Sequence, residues 1–344
     1  MTTVSIVGAA KAGKTALAAA IGKKGNVSDI TYYEFNKGSR PMTILDASGY
    51  PDSAKSLVTA LNLSDIVLFC VPPEGLDAVA GECIVALSLL KKKQGFVVIT
   101  KSDTSDPFML GEAETKIKKM LSGTALEGWE FLRVSSKAFE GIDALRDAVV
   151  KLGESVTHNL DEPVRVVVDQ FFDVTGIGCV ILGVVDRGTV NIKDKLLVYP
   201  IEQSLDVRSI QMHDVDVKSS PAGSRVGLAC KGIQSRMFSR GQIISLPGSE
   251  KMAAGFALDL TLTPFTAGFG VGDILHMYVG LQSSPVKVLG IEENGAAVEA
   301  AKGGKRYTVR VEGDRQIAYR DDDLFLLCNL DVAKQRFVAS GCVG

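Results

Sequence analysis

Gly8-Ala9-Ala10-Lys11-Ala12-Gly13-Lys14-Thr15 satisfies the pattern GxxxxGK[ST], directly after the apolar run 4–7 and directly before the helical run 16–21. A strand before and a helix after are the context this phosphate-binding loop requires. The glycines let backbone N–H groups wrap a phosphate at a helix N-terminus, the Lys14 ammonium supplies point charge to the outer phosphates, and the Thr15 hydroxyl can hold Mg²⁺. Gly8, Lys11, Ala12, Gly13, Lys14, Thr15 and Ala16 are therefore the candidate phosphate contacts.

Outward from this loop, apolar runs at 4–7, 66–71, 96–100 and 131–134 alternate with amphipathic stretches at 54–61, 79–92, 112–121 and 142–155, the last preceded by Gly141. A further strand at 42–46 is expected to pair with 33–36. Such alternation predicts a mostly parallel sheet with helices on both faces. After Asn159-Leu160-Asp161-Glu162-Pro163 the texture changes to β-branched runs punctuated by glycine, as over 176–190, and helical periodicity almost vanishes. Evenly spaced short strands with glycine turns predict barrels. A second break falls at Leu246-Pro247-Gly248-Ser249-Glu250. The expected architecture is an α/β P-loop domain over 1–157 followed by two all-β barrels, over 164–247 and 248–344.

Bulk properties narrow the function. The chain has 344 residues and a formal net charge of -2, so no global charge marks it as a polyanion binder. Any nucleic-acid contact must come from a local patch or a shaped pocket. Lys91-Lys92-Lys93 and Lys116, Lys118 and Lys119 are candidates, although such clusters are more often solvated helix faces. No apolar run approaches membrane-spanning length and the N-terminus lacks a signal peptide's basic start, so a cytoplasmic protein with no membrane partner is expected. The six cysteines show no CxxC pair, which leaves neither a zinc site nor a disulfide framework with the spacing it needs. Reduced, mostly buried thiols are expected instead.

Three further motifs follow the loop in a fixed order. Asp46-Ala47-Ser48-Gly49 ends an apolar strand, which suits a carboxylate that serves the metal through water and a glycine N–H that approaches a γ-phosphate. Thr100-Lys101-Ser102-Asp103 closes another strand, where the Asp103 carboxylate can accept from the N1 and N2 donors of guanine; adenine lacks that donor pair. Ser135-Ser136-Lys137 follows the last strand and can offer a backbone N–H to the guanine O6. Each stands at the carboxyl end of a strand, where α/β sheets bind ligands.

P-loop, DxxG, [NT]KxD and SxK in this order resemble the translational GTPases. The resemblance implies GTP or GDP with Mg²⁺ as cofactors, metal contacts from Thr15, Asp46 and Thr31, and Thr31 as the switch threonine that senses γ-phosphate. Gly49, Tyr50 and Thr31 would form the hydrolytic region. Relatives usually read DxxGH there, whereas this chain has Tyr50. Its three histidines, His158, His213 and His276, all lie beyond the expected nucleotide domain. A phenol is a poor proton acceptor at neutral pH, so hydrolysis is expected to be slow or to depend on a partner. The family loop usually begins GHVDHGK; Lys11 either replaces the monovalent cation that relatives hold near the phosphates or simply faces solvent. Thr100 in place of the usual Asn is expected to remove a brace on the P-loop.

Residues 164–190, the stretch Ala222-Gly223-Ser224-Arg225-Val226-Gly227-Leu228-Ala229 and the later Arg240-Gly241-Gln242 resemble the second domain of elongation factor Tu, most closely that of the selenocysteine-specific factors. Arg336-Phe337-Val338-Ala339-Ser340-Gly341-Cys342-Val343 resembles the closing strand of their third domain. The additional domain by which many such factors read a message hairpin is expected to be missing. By this resemblance an aminoacyl pocket involves Asp169, Gln170, Phe172 and Arg225. The selenocysteine factors place an Asp and two Arg there, so Gln170 in place of one arginine is expected to favour a neutral, larger side chain. The expected partners are aminoacyl-tRNA and the ribosome, with no DNA, and a monomer is the default. The leading expectation is a GTP-binding factor that delivers a specialised aminoacyl-tRNA. A nucleotide-binding tRNA chaperone with negligible turnover is the alternative, and a regulatory P-loop NTPase unrelated to translation is a third class.

Overall fold

Seven consecutive buried residues, Thr2–Gly8, form the first strand, and a strand with no exposed face belongs inside a parallel sheet covered on both sides. The computed structural model describes residues 2–37 and 40–344. In chain order the N-terminal part runs β1 (Thr2–Gly8), α1 (Lys14–Ile21), β2 (Lys23–Val27), β3 (Thr31–Lys37), β4 (Arg40–Asp46), α2 (Ala54–Asn62), β5 (Ile66–Val71), α3 (Ala78–Leu89), β6 (Gly95–Ile99), α4 (Pro107–Leu121), β7 (Glu130–Arg133) and α5 (Ile142–Gly153). The strands join in the order β2-β3-β4-β1-β5-β6-β7. From β4 to β7 neighbours run parallel, whereas β2 and β3 are antiparallel additions at one edge.

This sheet places β1 in the middle with the chain turning to opposite sides around it. The carboxyl end of β1, where strand order reverses, is where such sheets bind ligands. Helix α4 and strand β2 depart from expectation. Helix α4 begins at Pro107 because the Asp106 carboxylate accepts hydrogen bonds from the Phe108 and Met109 amides at 2.9 and 3.0 Å, with proline at the first helical turn. Strand β2 was not expected at all, because Lys23-Lys24-Gly25 carries no apolar alternation.

The chain divides into two compact units, Met1–Val156 and Thr157–Gly344. The second unit holds two closed six-stranded barrels, the architecture anticipated from its glycine-punctuated strands. In the first barrel the antiparallel strands Arg165–Val174, Gly178–Arg187, Arg225–Lys231, Gln203–Met212, Lys195–Tyr199 and Ile243–Ser245 follow one another and return to the start. The second closes in the same way through Lys251–Leu262, Arg306–Tyr319, Gln282–Glu293, Ile274–Val279, Phe325–Cys328 and Phe337–Val343. Each interior is filled by apolar side chains, aliphatic and aromatic. All six cysteines are free, five buried and Cys342 half-buried. Among the described residues no helix is long and apolar enough to cross a membrane.

Candidate nucleotide site and barrel pocket

At the end of β1 the backbone must turn sharply into the loop, and only glycine fits. Gly8 has φ 147, and a Cβ on it would stand 2.4 Å from the Cys70 carbonyl oxygen of β5. Gly13, at φ 85, caps α1 in the left-handed region. Between them the loop residues 10–16, with Ser48, Tyr50, Pro51 and Asp52, line an open cavity of about 390 Å³. Lys11 is exposed at its rim, as are Thr15 and Ala16, while Ala12 is buried. Lys14 is buried and its ammonium donates to the carbonyls of Gly8 and Ala9 at 3.0 and 2.8 Å. A polyanion entering the loop would compete with those two carbonyls for the charge.

Asp46 ends β4 beside Thr15 of this loop. It is fully buried, accepts a hydrogen bond on Oδ2 from the Thr15 hydroxyl at 2.7 Å, and leaves Oδ1 without a hydrogen-bond partner. Burial pushes its carboxyl above the ordinary carboxylate range, with Thr15, Lys14 and Lys24 pulling the other way. A buried carboxylate oxygen lacking a partner is costly. A divalent cation reached directly or through water would satisfy it, so the residues present fit Mg²⁺. Thr31 pairs with Asp46 across β3 and β4, and its hydroxyl lies 3.2 Å from that of Ser48. Thr15, Thr31 and Asp46 thus meet in one place.

The loop after β4 is held closely. The Gly49 N–H donates to the Asp29 carbonyl at 3.1 Å, and a Cβ on Gly49 would stand 2.4 Å from the Ser56 hydroxyl. Tyr50 is buried; its hydroxyl donates to the Glu82 carboxylate at 2.7 Å and to the Val79 carbonyl at 3.1 Å. Burial, with Cys83 and Glu82 beside it, pushes this phenol well above its ordinary range. Its hydroxyl is thereby turned into α3 rather than toward a water in the cavity.

Thr100 departs from expectation. Far from leaving the P-loop unbraced, its buried hydroxyl donates to the Ala12 carbonyl at 2.7 Å. A Cβ on Gly13 would come within 3.4 Å of the Thr100 Cβ, so the two positions are closely set. Beyond it Lys101 adopts φ 51, which turns the chain so that Asp103 meets the Ser135 hydroxyl at 2.7 Å. That hydroxyl holds the Asp103 carboxyl below its usual range, with Lys137 adding to the effect. Ser135 is buried, Ser136 half-buried and Lys137 exposed. Asp103 itself is exposed. In the lysine clusters Lys92 donates to the Ser64 carbonyl at 2.9 Å, and Lys118 bridges Glu114 at 2.9 Å over the Phe131 ring.

In the first barrel the strand Arg165–Val174 carries a register shift between Val168 and Gln170, so Asp169 occupies a β-bulge, a device that re-aims a side chain. Asp169 is buried. Its carboxylate lies 2.8 Å from the Arg240 guanidinium and 3.9 Å from that of Arg225. Gln170 is half-buried and Phe172 exposed. Beside Asp169 the structure thus places two arginines, Arg225 and Arg240, while Gln170 stands next in the strand. Arg240 stands far from Asp169 along the chain, so no local pattern marks the pairing, which the fold of the barrel creates.

No family model matches the chain. An uncharacterized protein of Methanocaldococcus jannaschii is 30% identical over 323 residues, which cover 93% of this chain and 94% of that protein. The selenocysteine-specific elongation factor of the same organism is 25% identical over 323 residues, 90% of this chain and 69% of its own length. Among solved structures, translation elongation factor SelB from Methanococcus maripaludis, in complex with the GTP analogue GppNHp, covers 99% of this chain and 78% of its own with a TM-score of 0.87 at 24% identity.

Proposed function

Because the chain belongs to the elongation factor Tu family, as a SelB-like, GTP-binding translation factor-type protein, we propose that it binds GTP or GDP with Mg²⁺ and delivers a specialised aminoacyl-tRNA to the ribosome. In this reading residues 1–157 form the nucleotide domain, 164–247 and 248–344 the two barrels, and GTP hydrolysis is slow or waits for a partner.

The observation that carries the nucleotide half is Asp46, buried with one oxygen on Thr15 of the P-loop and the other lacking a hydrogen-bond partner. Thr15 and Asp46 would hold Mg²⁺, which would neutralise phosphate charge, and Lys14 would exchange the Gly8 and Ala9 carbonyls for the outer phosphates. Asp103, kept ionised by Ser135, would accept from guanine. Thr31 and Gly49 would sense the γ-phosphate, with the Gly49 N–H leaving the Asp29 carbonyl to do so. For the cargo, Asp169 set between Arg225 and Arg240 supports a polar aminoacyl pocket.

A second reading, a nucleotide-binding tRNA chaperone with negligible turnover, is favoured by the Tyr50 hydroxyl being bonded to Glu82 and Val79. The test is a gel-shift panel of aminoacylated and deacylated tRNAs with GTP and with GDP. Retention of an aminoacylated species with GTP alone is the expected result; equal retention under every condition, or none, would overturn it. Multiple-turnover GTP hydrolysis with ribosomes then separates delivery from chaperoning.

A further inference from the structure

A nucleotide laid across the first sheet has a direction. The strand order β4-β1-β5-β6-β7 puts Asp103 and Ser135, which follow β6 and β7, on one side of the P-loop after β1, and the loop 47–53, which follows β4, on the other. With the base at Asp103 and the phosphates in the P-loop, the phosphate chain runs toward the β4 loop. Its outermost member, and a water attacking from beyond it, therefore face that loop.

From this loop Ser48, Tyr50, Pro51 and Asp52 line the P-loop cavity. The Tyr50 hydroxyl is engaged by Glu82 and Val79, and the Ser48 hydroxyl lies 3.2 Å from that of Thr31. Asp52 is exposed and is the one carboxylate among the described residues that line the cavity. Its backbone stands between two anchors: the Tyr50 amide donates to the Ala47 carbonyl at 3.1 Å and the Ser53 amide to the Gly49 carbonyl at 2.8 Å. An ionised carboxylate accepts hydrogen bonds and donates none, which is what an attacking water needs from a partner. Like charge beside a polyphosphate weakens its binding, so a carboxylate in this place suits chemistry on the water better than a grip on the phosphates.

We propose that Asp52 is a catalytic residue of GTP hydrolysis in this chain: its carboxylate accepts a hydrogen bond from the water that attacks the outermost phosphate. This rests on the nucleotide reading given under Proposed function. The water oxygen bonds to the outermost phosphorus while the bridging P–O bond breaks and its electron pair leaves with GDP; one water proton passes by way of Asp52 to the inorganic phosphate formed. Because the Asp52 side chain is exposed, it is not fixed ahead of its substrate, in keeping with slow turnover.

Single-turnover GTP hydrolysis by full-length protein in Mg²⁺, with calorimetric affinities for GppNHp and GDP on the same preparations, tests it on wild type, Asp52→Asn and Asp52→Glu. Asp52→Asn is expected to hydrolyse GTP at least about tenfold more slowly with both affinities within about twofold of wild type, and Asp52→Glu to recover part of the rate. An unchanged rate in Asp52→Asn would overturn the proposal, and tighter GppNHp binding at that unchanged rate would make Asp52 a repelling charge alone. A loss of both affinities that matches the loss of rate would also overturn it, since that marks a structural role. So would a wild type that binds GppNHp yet hydrolyses no GTP, and the nucleotide reading would then stand without this proposal. Absence of heat with either ligand in the wild type would instead sink the nucleotide reading itself, and this proposal with it.

Discussion

Asp46 is the residue where stability and function pull in opposite directions. Its folded pKa is raised above the unfolded value by burial. Its contribution to stability is therefore fully present below the ordinary carboxylate range and is lost as pH rises through the raised value. Metal binding at this carboxylate would have the opposite dependence, since the cation and the proton would compete for it. Asp46→Asn is accordingly expected to leave the ligand-free melting temperature equal to or above wild type at neutral pH, and to abolish the additional stabilisation by Mg²⁺ with GDP; thermal melts with and without these ligands check both. Thr100 makes a converse case. Thr100→Val preserves shape but leaves the Ala12 carbonyl without its 2.7 Å donor, at a cost of about 1–2 kcal/mol, and GDP affinity should fall with it. Urea denaturation and a nucleotide titration on the same variant would read the two effects, and an unchanged stability would remove Thr100 as the brace.

Among the elements, the turn from β1 into α1 is the least tolerant. Gly8→Ala would force a positive φ on a residue with a Cβ and drive that Cβ into the Cys70 carbonyl, costing roughly 2–4 kcal/mol; loss of nucleotide binding together with a lowered urea midpoint is the expected outcome. At the barrel bulge, Asp169→Asn would leave Arg225 and Arg240 facing each other without their shared anion, destabilising unit two by about 3 kcal/mol. Sequence pattern made the buried elements legible: β5 spans Ile66–Val71 and runs as a continuous apolar stretch, and α5 starts at Ile142 after Gly141 in the left-handed region, both as expected. It failed at β2, whose residues are mostly exposed, so its place depends on hydrogen bonding to β3. Helix α3 ends at Leu89 although its apolar and lysine pattern runs on, because Lys91 turns to φ 53. The P-loop and its following motifs were readable because their chemistry is local. Contacts such as Thr100 with Ala12, Tyr50 with Glu82, and Asp169 with Arg240 join residues far apart in the chain, and no local pattern encodes them.

Across the second unit, the two barrels are joined by an ion network that includes a fully buried carboxylate. The Arg165 guanidinium contacts both oxygens of Asp323 at 2.7 and 2.6 Å and lies 3.3 Å from Glu250. Arg320 reaches Glu250 at 2.8 Å and Glu162 at 3.1 Å. Removing one member leaves a partner charge out of water, so Asp323→Ala should cost about 3 kcal/mol with little dependence on salt, since buried pairs are weakly screened. Guanidinium-free denaturation of the wild type and variant at low and high salt checks this; a loss that disappears in salt would mean the pair is solvent-screened. The reading of the whole molecule depends on the P-loop holding a guanine nucleotide. Calorimetric titration of magnesium-supplied protein with GDP and with ADP tests this most directly: saturable heat with GDP and none with ADP is the expected result, and no heat with GDP, or equal binding of the two, would contradict it.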